Sequence, residues 1–171
     1  MAIVFETPRL LVRELTLADL DFVATMLADP EVMRFWPRPF SRGEAVDWIN
    51  RQLERYERHG YGYWLTLDKR SGEPVGQIGL LEQGVDGIAH CGLGYIIHRP
   101  FWRQGLAWEG ALGVRDYAFE TLAKPRVVTL IRPGNIPSLR LAQKLGMKPE
   151  QLVMYSDREH QLWAISRSEV G

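Results

Sequence analysis

The sequence predicts a single domain of the α/β (α+β) class, with about four helices around a mixed, mostly antiparallel twisted sheet of about seven strands. Strand-like and helix-like segments alternate along all 171 residues, with no internal repeat or long linker to divide them. Three strand-like segments in the middle follow one another through short turns, which indicates antiparallel pairing. A later segment, Arg126–Ile131, is almost wholly apolar, as is typical of a buried central strand. We therefore expect residues 1–171 to form one domain.

Composition and charge exclude several classes of partner. The 21 Lys and Arg residues balance the 21 Asp and Glu residues, so we expect no nucleic-acid or membrane partner, although a local basic pocket stays compatible with this balance. Residues 1–9 lack the regions of a signal peptide and no stretch is apolar enough to span a membrane, so the predicted location is cytoplasmic. Cys91 is the one cysteine and is interpreted as a buried small hydrophobic residue. No disulfide and no metal site is predicted.

The first half of the chain predicts one strand, two helices and three consecutive strands. Residues 9–15 are strand-like, and Thr16 caps the helix that follows. Ser41 and Glu44 form a capping-box pattern that opens a second helix, which Gly60 closes. The three consecutive strands are predicted at 61–67, 74–81 and 89–97, with turns at 68–73 and 84–87.

The second half of the chain predicts two helices, the buried strand and a final hairpin. Helical spacing begins at Gly105 and continues to Leu122. Asn135 caps a shorter helix that runs to Leu145. Gly146 follows directly, at the position where a glycine commonly ends a helix. The final hairpin joins strand-like segments at 148–155 and 159–166.

The loop between the third of these strands and the next helix has the features of a phosphate site. A strand ends at Ile97 and a helix begins at Gly105. The first turn of a helix leaves backbone N–H groups without partners, and small residues such as Gly105 and Ala107 let a phosphate approach them. Arg103 adds a positive charge at the same place. In the alternative interpretation, Gly105 is only a turn glycine and Ala107 only a core contact.

A second segment follows the buried strand and has the pattern N-x-x-S, a short helix and L-G-M. Asn135 and Ser138 lie three residues apart at the start of this helix, where both side chains can face one side. The alternative is that Asn135 is only the N-cap and that Ser138 fills the first turn.

Together the two segments resemble the GNAT superfamily of N-acetyltransferases, most closely the RimJ/RimL type that acetylates ribosomal-protein N-termini. The resemblance covers residues 7–165 and rests, in order, on TPRLLVREL, VMRFWPRPFS, GLGYIIH, FWRQGLAWEGA and NIPSLRLAQKLGM. It implies the GNAT fold, with the sheet splayed between its fourth and fifth strands. It also implies transfer of an acetyl group from the co-substrate acetyl-CoA to a primary amine by direct attack.

The resemblance further implies which residues bind acetyl-CoA. They form a pyrophosphate loop, a strand that binds the pantetheine arm through its backbone, and the later segment: Arg103, Gln104, Gly105, Leu106 and Ala107; Tyr95, Ile96 and Ile97; Asn135 and Ser138. Three positions depart from the family pattern. Trp102 and Trp108 stand where relatives often have polar side chains that help the phosphates, and Gly92 replaces a glutamate that is one candidate base.

The implied chemistry gives roles to a few side chains. Ser138 is the candidate proton donor to the departing thiolate, and a backbone N–H near Ile96 and Ile97 would stabilise the oxyanion. Glu82 and His90, on facing strands, are the candidate bases; the alternatives are a solvated turn carboxylate and a surface histidine. An α-amine with a pKa of about 8 is about one-tenth neutral at pH 7, whereas a lysine amine with a pKa of about 10.4 is neutral about once in 2,500 molecules. The acceptor therefore decides how much base is needed.

The acceptor stays open between a protein N-terminus and a small-molecule amine, and the assembly between a monomer and a homodimer. The resemblance places the acceptor beside the aromatic loop at 35–40, where Trp36 and Arg38 would line a groove; alternatively, this loop packs over the first two helices. A second function class is a catalytically weak GNAT domain that binds acyl-CoA as a sensor or interaction module. A third is an unrelated nucleotide-binding protein.

Overall fold

The computed structural model describes residues 2–170, which form four α-helices and one eight-stranded sheet. The strands are β1 (Ile3–Glu6), β2 (Leu10–Arg13), β3 (Tyr63–Asp68), β4 (Pro74–Val85), β5 (Ile88–Ile97), β6 (Arg126–Ile131), β7 (Lys148–Tyr155) and β8 (Arg158–Ser166). The helices are α1 (Leu20–Ala28), α2 (Arg42–His59), α3 (Leu106–Glu120) and α4 (Ile136–Lys144). The strand order is β1-β2-β3-β4-β5-β6-β8-β7, and neighbours are antiparallel except β5 and β6. The predicted mixed, mostly antiparallel sheet with four helices is confirmed.

The sheet has one strand more than the seven predicted, because β1 has no local strand signal. Ile3, Val4 and Phe5 are consecutive apolar residues without the alternation that predicts a half-buried strand. In the structure β1 is an edge strand paired with β2. The ring of Phe5 packs against Tyr117 of α3 and Trp64 of β3. Tertiary packing, which the local sequence does not show, therefore stabilises this strand.

The hairpin between β4 and β5 is tighter than the predicted turn at 84–87. Strand β4 continues to Val85, and the turn consists of Asp86 and Gly87, both in the left-handed region with φ of 51° and 78°. The resulting register places Gln83 opposite His90. Because directly opposite residues share a face of the sheet, this register decides which side chains of the hairpin lie together.

The sheet opens between β5 and β6, its one parallel pair. These strands are in register only at Gly92 and Val128 and then diverge. Thr129 Oγ1 donates a hydrogen bond to the Leu93 carbonyl at 3.0 Å, just where the strands separate. The predicted splay between the fourth and fifth of seven strands is confirmed, since β1 shifts the numbering by one. Backbone groups beyond this point are left facing a gap.

Two helical layers cover the sheet and place different side chains at the two mouths of the gap. Helices α1 and α2 pack on one face through apolar residues that include Leu27, Trp48 and Ile49. Helices α3 and α4 pack on the other face through residues that include Val114 and Leu145. We call these the α2 face and the α3 face. Within residues 2–170, no helix is long and apolar enough to cross a membrane.

Candidate active site

A cavity of about 340 Å³ runs through the gap between β5 and β6. On the α3 face it is lined by Tyr95 and by Ser138 of α4, and on the α2 face by Trp48, Tyr63 and Arg55. The cavity therefore joins the two faces of the sheet. Its size lies at the lower end of the range for small-ligand pockets, about 300–1,000 Å³.

The start of α3 presents backbone N–H groups without partners. The first helical hydrogen bond is donated by Glu109 to the Gly105 carbonyl, at 3.1 Å. None of the N–H groups of Leu106, Ala107 and Trp108 donates a hydrogen bond within the described part of the chain. Gly105 has φ +77°, a conformation that favours glycine, and an added Cβ would lie 3.4 Å from the nearest atom, Arg9 Nη2. This open helix end is suited to an anion such as a diphosphate.

A network of side chains from the first strands fixes the loop before α3. The Arg9 guanidinium donates to the Gln104 carbonyl at 2.8 Å and to Glu109 Oε2 at 2.6 Å. Thr7 Oγ1 and the Arg9 N–H donate to Glu109 Oε1, each at 2.7 Å. Burial raises the pKa of Glu109, but these hydrogen bonds outweigh it, so the pKa lies below the usual value. Glu109 therefore stays ionised and holds the loop in place. Arg103, in the same loop, has φ 62° and an exposed side chain.

The backbone of β5 supplies hydrogen-bonding groups to the gap. The Leu93 carbonyl faces β6, where it accepts from Thr129, whereas the Ile96 carbonyl faces β4 near Gly76. Backbone groups of successive strand residues alternate in direction, so Tyr95 and Ile97 face the gap and Ile96 does not. The Ile97 carbonyl accepts from the indole of Trp102 at 2.7 Å. The backbone N–H groups of Tyr95 and Ile97 point into the gap, where they can bind an extended ligand.

Tyr95 and Ser138 form a hydroxyl pair at the α3-face mouth of the cavity. Their oxygens are 2.7 Å apart, and either one can be the donor. Asn135 Oδ1 accepts from the Ser138 N–H at 3.4 Å, so Asn135 is the N-cap of α4. Its part in binding acetyl-CoA stays a prediction. Burial raises the pKa of Tyr95, against the smaller effect of the Ser138 hydrogen bond, so the phenol stays protonated. The pair is thus a source of O–H donors near the gap.

The two bases suggested by the sequence lie away from this mouth. Glu82 Oε2 contacts His59 Nδ1 at 3.3 Å, and Glu82 is on the face opposite to its cavity-lining neighbours Leu81 and Gln83. His90 shares the face of Gln83, but neither His90 nor Glu82 lines the cavity. Burial raises the pKa of the Cys91 thiol to about 11, against a smaller opposite effect of Lys124. This thiol is therefore a poor nucleophile at neutral pH. Cys91 is partly buried and not fully buried as predicted.

His160 lines the cavity on the α2 face, and no sequence pattern pointed to it. Its Nδ1 lies 2.9 Å from the Arg158 carbonyl. Because a carbonyl only accepts, this hydrogen bond requires the proton on Nδ1 and leaves the lone pair on Nε2. Burial lowers the pKa of His160, the hydrogen bond to Arg158 opposes this, and the charges of Arg132 and Arg158 lower it further. The ring is therefore neutral at pH 7 and able to accept a proton.

Aromatic side chains form the wall of the cavity on the α2 face. The rings of Trp36, Phe40 and Trp48 meet edge to face, with centroids 5.7–6.1 Å apart, and Trp48 packs on Tyr63 at 5.1 Å. The Tyr63 hydroxyl occupies the space that is open because residue 94 is glycine. A Cβ added at Gly94 would lie 2.1 Å from the Tyr63 hydroxyl oxygen. The aromatic loop thus packs on α2, and its residues 35–37 also line the cavity. That the acceptor binds beside this loop stays a prediction. The Arg38 guanidinium is instead paired with Glu44, outside the cavity.

Comparison with known proteins identifies the family. The family model of the acetyltransferase (GNAT) domain matches residues 9–148. The chain belongs to the GNAT acetyltransferase family. The uncharacterized protein YkkB of Bacillus subtilis (strain 168) is 33% identical over 119 residues, which are 70% of this chain and 69% of YkkB. The uncharacterized N-acetyltransferase p20 of Bacillus licheniformis is 28% identical over 151 residues, 86% of this chain and 83% of p20. This GNAT protein is accordingly an acetyltransferase.

Solved structures of other acetyltransferases have the same fold. An acetyltransferase from Agrobacterium tumefaciens str. C58 superposes with a TM-score of 0.84 at 26% identity, covering 96% of this chain and 94% of that one. The ribosomal L7/L12 α-N-protein acetyltransferase RimL, in complex with coenzyme A, superposes with a TM-score of 0.79 at 15% identity, covering 96% of this chain and 98% of that one. At that identity the likeness shows the fold alone. The RimJ/RimL subtype therefore stays a prediction.

The α3 face of this acetyltransferase presents groups suited to an acyl-CoA co-substrate. The unpartnered N–H groups at the start of α3 suit a diphosphate, and the gap-facing N–H of Ile97 suits an amide-containing pantetheine arm. The two tryptophans that depart from the family pattern both contact other protein groups. Trp102 is bonded to the end of β5, and the ring of Trp108 packs under the Lys144 ammonium at 4.5 Å. Within residues 2–170, no three His, Cys, Asp or Glu side chains gather as metal ligands do.

Proposed function

We propose that this protein transfers an acetyl group from acetyl-CoA to the nitrogen of a primary amine. The main support is the gap in the sheet, because the cavity there contains the hydroxyl pair and reaches both faces, and the open helix start of α3 belongs to the α3 face. The co-substrate would reach the gap from the α3 face and the amine from the α2 face. The solved RimL complex with coenzyme A has the same fold and supports the choice of co-substrate.

The chemistry needs few groups from the protein. Acetyl-CoA supplies a thioester carbonyl that a neutral amine attacks; the C–N bond forms, the C–S bond breaks, and the nitrogen loses a proton. The Tyr95 N–H is the donor for the negative charge that develops on the carbonyl oxygen, and the Ile97 N–H is left for the pantetheine arm. The Ser138 hydroxyl donates a hydrogen bond to the departing sulfur, while the Tyr95 hydroxyl donates to Ser138 Oγ.

We propose His160 as the group that accepts the amine proton, directly or through water. It lines the acceptor side of the cavity, and its neutral ring has a free lone pair on Nε2. Glu82 is not proposed for this role because its side chain is on the face opposite to Gln83 and outside the cavity, and its carboxylate contacts His59. His90 is on the acceptor face but beyond the cavity, so it would need a chain of water molecules to reach the amine.

Measurement of CoA thiol release with acetyl-CoA and a panel of primary amines tests the function. We expect turnover that depends on both substrates, and CoA binding by calorimetry. Binding of CoA without turnover of any amine would contradict the proposal and support the acyl-CoA sensor instead. Greater thermal stabilisation by ATP or NAD than by CoA would support an unrelated nucleotide-binding protein.

A further inference from the structure

The acceptor side of the cavity carries a local excess of positive charge. Four arginines line it: Arg51 and Arg55 of α2, Arg132 after β6, and Arg158 of β8. No Asp or Glu of the described chain lines the cavity. None of the four guanidinium groups forms an ion pair within 4.0 Å with a carboxylate of residues 2–170. The whole chain has no net charge, so this surface is a concentration of charge that attracts anions.

Arg55 is the most informative of the four. Its side chain is partly buried, and within residues 2–170 its hydrogen-bond partner is the neutral Gln52 Oε1, at 3.2 Å. Burial lowers the pKa of the Arg55 guanidinium from its usual value, with smaller and partly opposing effects from Tyr63, Arg51 and Tyr155. A partly buried cation without a counter-ion is unfavourable. An anionic group on a bound molecule would neutralise the charge of the Arg55 guanidinium and so stabilise it.

Gln83 provides a hydrogen-bond acceptor in the same cavity, whereas the arginines provide donors. The side chain is 9% exposed, and its Oε1 is buried without a hydrogen-bond partner within residues 2–170. Gly92 on the neighbouring strand leaves the space for this amide, since a Cβ there would lie 2.0 Å from Oε1. An amide oxygen only accepts hydrogen bonds, so its natural partner is an N–H donor. A primary amine is such a donor.

The cavity is partly closed on the acceptor side. Arg158 Nη1 donates to the Phe35 carbonyl at 3.0 Å, which ties the β7–β8 hairpin to the aromatic loop. The whole cavity, including the part that faces Ser138, measures about 340 Å³. Such a volume is suited to a small acceptor beside the thioester and leaves little room for several residues of a peptide.

We propose that the acceptor is a small primary amine that carries a carboxylate or a phosphate group. This inference rests on the proposed acetyl transfer. The arginines bind the anionic group, and Gln83 Oε1 accepts a hydrogen bond from the amine nitrogen. The same charges disfavour a second ammonium group, which excludes polyamines. They also favour the neutral form of the bound amine, so less assistance from a base is required.

Matched pairs of amines test the charge requirement. The probes are glycine and O-phosphoethanolamine, their uncharged counterparts glycinamide and ethanolamine, the dication putrescine, and a short peptide with an acidic N-terminal sequence. Two quantities are measured for each: kcat/KM with acetyl-CoA, and the dissociation constant by calorimetry with CoA-saturated protein. We expect at least one anionic probe to bind about 10- to 100-fold more tightly than its uncharged counterpart, as for a hydrogen-bonded charge pair.

Arginine variants assign the effect to the cavity. Arg55→Gln should weaken binding of the anionic amine about tenfold or more, and leave the affinity for CoA and for the uncharged counterpart unchanged. Arg58→Gln is the matched control. It removes the same charge from the same helix, but Arg58 does not line the cavity, so no affinity should change.

The outcomes separate this inference from the proposed function. If uncharged or cationic amines bind and react as well as the anionic ones, or if the acidic peptide is preferred to every small amine, the inference is wrong and acetyl transfer stands. An equal effect of Arg58→Gln and Arg55→Gln also overturns it. If anionic amines bind preferentially but none is acetylated, the proposed function is wrong and the binding preference stands. Absence of both binding and acetylation overturns both.

Discussion

The hydroxyl pair of Tyr95 and Ser138 gives the sharpest prediction about the chemistry. Ser138→Ala removes the hydroxyl that we place against the departing sulfur, while Asn135 still accepts from the residue 138 backbone N–H. Loss of one hydrogen-bond donor to a developing charge lowers kcat by about 10²- to 10³-fold. The affinity for CoA should not change, because the proposed binding groups are backbone N–H groups.

Tyr95→Phe should act only through Ser138. The two oxygens lie 2.7 Å apart, and loss of one neutral hydrogen bond costs about 1 kcal/mol, or about fivefold in kcat. In Ser138→Ala this bond is already absent, so the double variant should be no slower than Ser138→Ala alone. Tyr117→Phe is the control, since it removes a phenol hydroxyl on the same face of the sheet, outside the cavity.

The assay is the steady-state release of CoA thiol at saturating acetyl-CoA and amine, with the CoA dissociation constant of each variant from calorimetry. Two results would refute the reasoning. One is Ser138→Ala with the kcat of the unchanged protein. The other is a double variant in which the two losses multiply, because independent losses would give the two hydroxyls separate roles.

Two further predictions concern ionisable groups. His160→Gln should lower kcat about 10²-fold at neutral pH. Its pH profile should converge with that of the unchanged protein only as the pH falls through the pKa of His160, which is lowered from its usual value; parallel profiles would contradict the base role. The pKa of Glu109 is lowered from its usual value of 4.5. The ionised carboxylate therefore stabilises the fold above pH 4.5, and this stabilisation is lost as the pH falls through the lowered pKa. Glu109→Gln should therefore reduce the free energy of unfolding by about 1 kcal/mol at pH 7 and by less in acid; urea denaturation that shows equal losses at both pH values would count against the Thr7–Arg9–Glu109 network.

The predicted elements agree with the structure where the signal is local. Capping patterns and helical spacing predict all four helices, and the structure contains them. Ser41 and Glu44 form the reciprocal hydrogen bonds of the predicted capping box. Gly105 indeed precedes α3 in a left-handed conformation, and the helix start is open. These features are predictable because each depends on residues close together in sequence. Strand β1 has no such signal, since its stability depends on contacts with α3 and β3.

The acceptor side of the site was not predictable from the sequence. Arg55 lies on α2 and His160 on β8, about a hundred residues apart, and only the packing of the hairpin against the aromatic loop brings them to one cavity. Glu82 shows the same limit. Strand alternation separates Glu82 from Leu81 and Gln83, but only the position of α2 shows that the acceptor side of the cavity lies on the face of Gln83.

The central claim is that the start of α3 binds the diphosphate of CoA, and one calorimetric comparison tests it. Gly105→Glu and Gly60→Glu each place a carboxylate at a glycine with φ near +80° and little steric obstruction, so the backbone strain is matched. Only Gly105 adjoins the open helix start. Like charges about 5 Å apart repel by about 0.8 kcal/mol in bulk water and about 3 kcal/mol near a protein surface. We predict that Gly105→Glu weakens CoA binding at least about tenfold and that Gly60→Glu leaves it unchanged. Unchanged CoA affinity in Gly105→Glu, or equal losses in both variants, would contradict the claim.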